Sequence, residues 1–253
     1  MSQSLLALAC GDSYGAYFEM EGLIGSKFNI EKLPDKSLEI TVTDDTKMAS
    51  ILLKHYKRYN NMDFSNLVKE YRHWAITEGD EDGIGLHTKR VLVDGSENKD
   101  SQGNGALMRN IPFGVELIND GYSFEDAVKL MNQDSALTHK NETIFMANRL
   151  ALDLAVNGTE VLKNSIYQGI LSRITPGYTA WVIHSLYTII ETLKMDLSFI
   201  EGFKHIVANG GDTDTNCAIY GAIKGANDDI REVIDIAEFL PTDFVEALKA
   251  KKS

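Results

Sequence analysis

The sequence predicts an all-α fold. Two observations carry that reading: apolar residues recur at helical spacing along most of the chain, and only four prolines interrupt its 253 residues. Helices then form the body, and the loops between them carry the chemistry. A chain of this length buries a substantial core, and no linker-like stretch divides it, so residues 1–253 are expected to form one compact domain.

The elements follow in order. The apolar run Leu5 to Cys10 lacks a basic segment before it and is too short for a secretory leader. It continues into GDSYGAYFE, where Gly11 and Gly15 permit close backbone packing and Asp12 and Glu19 are the candidate polar groups. The bland reading of that stretch is a short amphipathic turn with its acids in solvent. Leu38, Ile40 and Val42 alternate, which predicts an extended approach to the TDDT that follows. Met48, Ile51, Leu52, His55 and Tyr56 share one helical face, as do Phe64, Leu67, Val68, Tyr71, Trp74 and Ala75. Further helices are predicted over 83–93, 105–118, 123–132, 141–156, 159–171, 178–194, 198–208, 215–225, 228–238 and 241–251. Ser123, Asn141, Thr159 and Ser198 stand where N-caps belong, and Pro176 and Pro241 fall in loops or first turns. No internal repeat or low-complexity tract is present.

Composition narrows the function. Twenty-five Lys and Arg against 37 Asp and Glu leave a net charge of −12, which argues against a nucleic-acid polymer as partner. The two cysteines, Cys10 and Cys217, are too few for a disulfide framework or a four-cysteine zinc site, so a reducing, cytoplasmic setting is expected. No stretch approaches the ~20 apolar residues of a membrane span, and no membrane partner is expected.

Two acidic clusters stand out. In NGGDTDTNCAIYGAIKGA, residues two apart on a regular helix would point about 200° away from each other, so Asp212 and Asp214 share a ligand only at a loop-to-helix junction. Gly210 and Gly211 supply the backbone freedom for such a junction, and Asp212, Asp214 and Thr215 can then aim oxygens at one point. The ordinary alternative is a helix cap with acids favouring its positive end. A second cluster of the same type, Thr43, Asp44, Asp45 and Thr46, again stands just ahead of a helix. If the two meet, each pair of carboxylates at ~4 Å repels by about 4 kcal/mol at an effective dielectric near 20. Cations must then be present. Ligation by carboxylates and threonine hydroxyls alone selects hard divalent ions, Mg²⁺ first, with Mn²⁺ or Ca²⁺ as alternatives. The four carboxylates match the charge of two such ions; a single ion stays open.

Gly103, Asn104 and Gly105 precede another helix, so their N–H groups can converge on an anion, although Asn-Gly is also an ordinary turn signal. Arg109 either adds charge there or pairs with an acid of the fold. Among six histidines, the default role is packing.

ACGDSYGAYFE, TDDTKM, GNGALMRNIPFG, LTHKNE, TPGYTAWVIHSL and GGDTDTNCAIYGAIKGA occur in the order and at roughly the spacing of the ADP-ribosylglycohydrolase family, which the chain resembles over about residues 5–226. The resemblance implies an all-α, compact, orthogonal helical bundle with a loop-built binuclear Mg²⁺ or Mn²⁺ centre. Thr43, Asp44 and Asp45 would hold it on one side and Asp212, Asp214 and Thr215 on the other, with Asp214 bridging. It further implies catalytic roles for Glu19, Asp45 and Asp214, with Glu19 on a mobile loop over the metals, and an orienting role for Asp12. Gly103, Asn104 and Gly105 would lie near a pyrophosphate, His139 would touch ribose or phosphate, and Tyr178 would line the nucleotide pocket. Two departures matter: the proline common after this histidine is absent, with Asn141 and Glu142 in its neighbourhood, and the chain is somewhat short for the family. The neighbouring GIGLHTKR stretch would allow close approach to the metal loops through Gly83 and Gly85, while His184 is as consistent with core as with site. The implied activity is metal-dependent hydrolysis of the bond between ADP-ribose and a modified protein side chain. Alternatives are hydrolysis of small-molecule or nucleic-acid-linked ADP-ribose, or ligand binding without turnover. Oligomeric state is not legible.

Overall fold

The computed structural model describes residues 2–20, 42–59 and 62–233. Among them there is no strand; an isolated antiparallel bridge joins Gly103 and Trp181.

Helix α1 (Gln3–Met20) is the element that helical periodicity misses. Residues 4–16 are all buried, so no polar face marks its period. The stretch read as a turn, GDSYGAYFE, is its second half, and Glu19 accordingly stands on the last turn of a helix, not on a loop. Helix α2 (Asp44–Tyr59) buries Met48, Leu52, His55 and Tyr56 on the expected face. Helix α3 (Phe64–Thr77) is capped by the Asp63 carboxylate, which accepts from Ser65 N and Asn66 N, and buries Leu67, Tyr71, Trp74 and Ala75. Helix α4 (Leu86–Leu92) starts later than 83 because Gly83, at φ +84°, and an extended Gly85 delay it.

A single 3-10 turn, Asn104–Ala106, leads into α5 (Leu107–Asn119). Helices α6 (Phe124–Ser135) and α7 (Glu142–Asn157) begin at Ser123 and Asn141, whose side chains accept from Asp126 N and Thr143 N. The continuous helix expected over 159–171 is not there. Thr159–Lys163 and Ser165–Tyr167 are 3-10 turns, followed by the short α8 (Gln168–Leu171). Asn164 breaks the run in extended backbone, accepting from Ile166 N, and Thr159 is no α-helical cap. Helix α9 (Val182–Lys194) begins after 178 because residues 180–182 pair with 102–104: Asn104 N donates to Ala180 O and Val182 N to Gln102 O. Helix α10 (Phe199–Asn209) has a reciprocal Ser198–Glu201 capping box, and α11 (Thr213–Lys224) follows Gly210 and Gly211, both at positive φ. A 3-10 turn, Ile230–Val233, takes part of the helix predicted over 228–238. The rest of that helix, the 241–251 helix with Pro241, and Leu38 and Ile40 lie outside the described residues.

The seam between α1 and α11 organises the core. A Cβ added at Gly11 would stand 2.2 Å from Cys217 O, at Gly15 2.3 Å from Thr213 O, and at Gly221 2.2 Å from Ala7 O. Glycines from both helices therefore interlock, and the two backbones meet with no side chain between them. Hydrogen bonds tie the ends: Ser4 Oγ donates to Ala222 O at 2.7 Å and Thr213 Oγ1 to Gly15 O at 3.0 Å. Cys10 and Cys217 are buried and free, with no disulfide. No helix among the described residues is long and apolar enough to cross a membrane.

Candidate active site and metal centre

Close contact of α1 with α11 has a direct chemical result: it brings acids from three distant segments together. Carboxylate oxygens of Asp12, Asp45 and Asp214 lie within 4.8 Å of one another, and so do those of Glu19, Asp212 and Asp214. Asp214 belongs to both groups. These residues stand mostly on first turns of helices instead of on loops: Asp44 and Asp45 open α2, Asp214 is in the first turn of α11, and Asp212 is its N-cap. Positive helix ends there partly offset the accumulated negative charge.

Asp12 orients the cluster. Its carboxylate accepts from Thr43 N at 2.9 Å, Thr43 Oγ1 at 2.7 Å, Thr46 N at 3.2 Å and Thr46 Oγ1 at 2.5 Å, capping α2 from another helix. Asp45 Oδ2 lies 3.2 Å from Thr43 Oγ1 and 3.3 Å from Thr215 Oγ1. Its other oxygen, Oδ1, is buried without a hydrogen-bond partner. An orphaned buried carboxylate oxygen in an all-oxygen donor set fits a hard divalent cation.

Charge is held at cost. Burial pushes the Asp44, Asp45 and Asp214 carboxyls well above the usual carboxylate range, and repulsion from neighbouring aspartates adds to it. Burial also raises Asp12, against the hydrogen bonds from Thr46 and Thr43. Glu19 is raised by burial too, opposed by a hydrogen bond with Asp214 and reinforced by the charges of Asp212 and Asp12.

A cavity of about 440 Å³ opens on this cluster, within the size range of small-molecule pockets. Glu19, Thr43, Asp44, Asp212, Asp214 and Thr215 line one part of it, and Gly103, Asn104, Gly105 and His139 another. Asp45 does not line it and is fully buried. Tyr178 does not line it either: its side chain is 74% exposed, although its backbone abuts Gly211. His184 is also absent from the wall; its Nδ1 lies 2.9 Å from Thr179 Oγ1 and its ring packs edge-on against Trp181.

The GNG segment differs from the cradle of converging N–H groups that sequence suggests. Gly103 N donates to Ser101 Oγ and Asn104 N to Ala180 O, so two of those donors are engaged within the fold. Asn104 acts through its side chain, donating from Nδ2 to Asp212 Oδ2 at 2.7 Å and to Ser185 Oγ at 2.9 Å. It thereby holds a carboxylate of the cluster in place.

Arg109 is fully buried and paired, adding no charge to the cavity. Its Nε donates to Asp134 Oδ2 at 2.8 Å, Nη1 to Gly105 O at 2.6 Å and Nη2 to Thr138 Oγ1 at 2.9 Å. One guanidinium thus ties the GNG turn to the histidine loop. Thr138 Oγ1, which accepts from Arg109, also lies 2.9 Å from His139 Nδ1. His139 Nε2 is the ring nitrogen nearest Gly103. Burial, the Arg109 charge and His87 all hold its pKa well below the usual imidazole value, so the ring is neutral.

Sequence reasoning passed over three residues. Asp82 lines the cavity, gives its carbonyl to Asp44 N at 2.8 Å and accepts from Trp74 Nε1 at 2.8 Å; its place in the run EGDEDG reads as solvated surface. His87 lines the cavity with its ring tilted 60° against that of His139, centroids 4.9 Å apart, and Ser185 supports Asn104. The glycines flanking Asp82 and His87 were the one available signal.

A sequence model of the ADP-ribosylglycohydrolase family matches residues 2–251. A protein of Acanthamoeba polyphaga mimivirus, provisionally named an ADP-ribosyl glycohydrolase, is 25% identical over 288 aligned positions covering 88% of this chain and 85% of that one. Among solved structures, a chain from an ADP-ribosylglycohydrolase-related protein complex shares the fold with a TM-score of 0.70, at 23% identity over 93% of this chain and 94% of that one.

Proposed function

The chain belongs to the ADP-ribosylglycohydrolase family, hydrolases acting on ADP-ribose, and from that premise we propose that it cleaves the bond between the anomeric carbon of ADP-ribose and a side-chain nitrogen or oxygen of a modified protein. Thr43, Asp44, Asp45, Asp212, Asp214 and Thr215 would hold two divalent cations, Mg²⁺ first and Mn²⁺ next. Such cations supply charge neutralisation, a grip on vicinal ribose hydroxyls and polarisation of water.

The remaining steps belong to the protein. Glu19, at the end of α1 and on the cavity wall, takes the proton of the attacking water as it approaches the anomeric carbon. The water oxygen bonds to the anomeric carbon as the glycosidic bond breaks, and the proton that Glu19 has taken passes to the departing side chain. Asn104 keeps Asp212 oriented through that change, and neutral His139 offers a ring nitrogen to the ribose or phosphate without adding charge to an acidic site. Fixing these groups before substrate arrives lowers the reorganisation that the reaction requires.

The observation that carries this reading is the convergence of Glu19, Asp12, Asp45, Asp212 and Asp214 in one cluster, of which Glu19, Asp212 and Asp214 face the cavity, with Asp45 Oδ1 left unpartnered. The test is a hydrolysis panel on arginine- and serine-linked ADP-ribosylated proteins, with and without chelator. Turnover that stops with EDTA, returns with Mg²⁺ or Mn²⁺ and is lost in Asp214→Asn supports the proposal. Chelator-resistant turnover, or an active Asp214→Asn, refutes it.

A further inference from the structure

A second concavity, about 830 Å³, is walled by α3, the end of α4, the loop over 95–100 and the segment 136–140. Its charge runs against that of the chain. Lys69, Arg72, Lys99 and Lys140 line it, opposed by Glu97 and Asp100, in a protein whose net charge is −12. Elsewhere several cations are paired: Lys47, Lys57, Lys89 and Arg149 each close an ion pair with a carboxylate. Among the described residues none of the four groove cations does so; Lys69 Nζ donates to the neutral Asn66 Oδ1 at 3.0 Å. Unpaired cations gathered in one concavity form a focused positive field.

The groove also shares its dividing wall with the active site. Ser101 faces the catalytic cavity while Lys99 and Asp100 face the groove, and His139 faces the cavity while Lys140 faces the groove. Lys140 N donates to Lys99 O at 2.6 Å, clamping the two segments together. Two residues of extended chain span about 7 Å, so the groove begins within a residue or two of where a substrate would be held.

We propose that this groove docks an acidic segment of the polypeptide that carries the ADP-ribosyl group, alongside the modified residue. The inference rests on the proposed function and names the partner's chemistry. Glu97 and Asp100 interrupt the positive surface, which disfavours a continuous phosphate backbone. Apolar side chains of Val68, Leu92 and Leu137 give the groove a floor suited to amino-acid side chains. Charges at such a rim act mainly on encounter rate and partner choice, and salt weakens them.

Two arms test it, both using the whole protein and the double variant Lys69→Glu/Arg72→Glu, with circular dichroism to verify folding. In the first, anisotropy follows a fluorescein-labelled oligoglutamate peptide and a labelled single-stranded oligonucleotide. The proposal expects the peptide to bind, to weaken about tenfold or more in the variant and to be released by salt. Absent peptide binding, equal binding by the variant, or preference for the oligonucleotide would overturn it. In the second arm, the variant should raise KM for a modified protein with acidic flanks while leaving turnover of a free ADP-ribosylated amino acid unchanged. Equal effects on both substrates also overturn the groove assignment. Should the unmutated protein hydrolyse neither substrate, the proposed function fails while the peptide arm still decides the groove.

Discussion

Replacing Asp214 with asparagine should stabilise the metal-free protein even as it abolishes turnover. Asp214 has carboxylate oxygens of Asp12, Asp45, Glu19 and Asp212 within 4.8 Å of its own. At that separation and an effective dielectric near 20, one such pair costs about 3 kcal/mol. Protonation relieves part of this, since the folded-state pKa of Asp214 is raised by burial first and by its aspartate neighbours next. Carboxyls of the unfolded chain titrate near 4, so the folded metal-free protein keeps protons that the unfolded chain has released. The stability this confers is complete in acid and is lost as pH rises through the raised folded-state values. Removing the repulsion that protonation leaves, up to about 3 kcal/mol, should lift the melting temperature by up to roughly 6–12 °C for a domain of this size. A divalent cation at a hundred times its Kd should give unmutated protein about 2.7 kcal/mol, roughly 5–10 °C, by mass action. Differential scanning fluorimetry near neutral pH, in EDTA and in Mg²⁺ or Mn²⁺, reads both effects. If unmutated protein is indifferent to divalent cations and metal-free Asp214→Asn melts lower than its parent, the cluster is not a strained cation site and the reasoning fails.

Two further outcomes follow from particular contacts. Gly15→Ala should lower stability by about 3 kcal/mol or more and depress activity, because its Cβ would meet Thr213 O at 2.3 Å and Asp214 Cα at 2.6 Å. In urea titrations the control Gly169→Ala, with nothing within 4 Å of its Cβ and a place in α8, should be neutral or stabilising by up to about 1 kcal/mol. His139 should stay uncharged on acidification from pH 8 to 6 in a two-dimensional ¹⁵N NMR titration; its stability contribution is lost below the ordinary imidazole range as the unfolded chain takes up the proton. Thr138→Val should release the Nδ1 constraint and change the tautomer population, and a midpoint near 6.5 in the parent would contradict the assigned environment.

How much of this was legible beforehand depended on what each residue does. Asp44, Asp45, Asp212 and Asp214 stand out because two pairs of acids at helix starts, the second of them behind glycines, are hard to explain as caps alone. Helix α1 does not, since a segment buried on every side loses the polar half of its period, and Gly11 and Gly15 mimic a turn while serving a helix crossing. Helix α9 starts at Val182 and not at 178 because pairing of 180–182 with 102–104 is a tertiary event with no local signature. Arg109 and Asn104 were visible as candidates, but whether they face ligand or fold depended on Asp134, Ser185 and Asp212, residues whose proximity no spacing rule supplies.

The interlocked glycines of α1 and α11 also set a schedule for synthesis. Thr213 and Gly15, joined by a hydrogen bond, are 198 residues apart. At roughly 5–20 residues per second, α1 leaves the ribosome some 10–40 seconds before its partner exists. For that interval a helix greasy on every side has nowhere to pack, and the nascent chain carries Asp12, Asp44 and Asp45 without the acids that complete their cluster. Chaperone demand should therefore concentrate on the segment made first, and the acidic cluster is complete only once translation has passed α11.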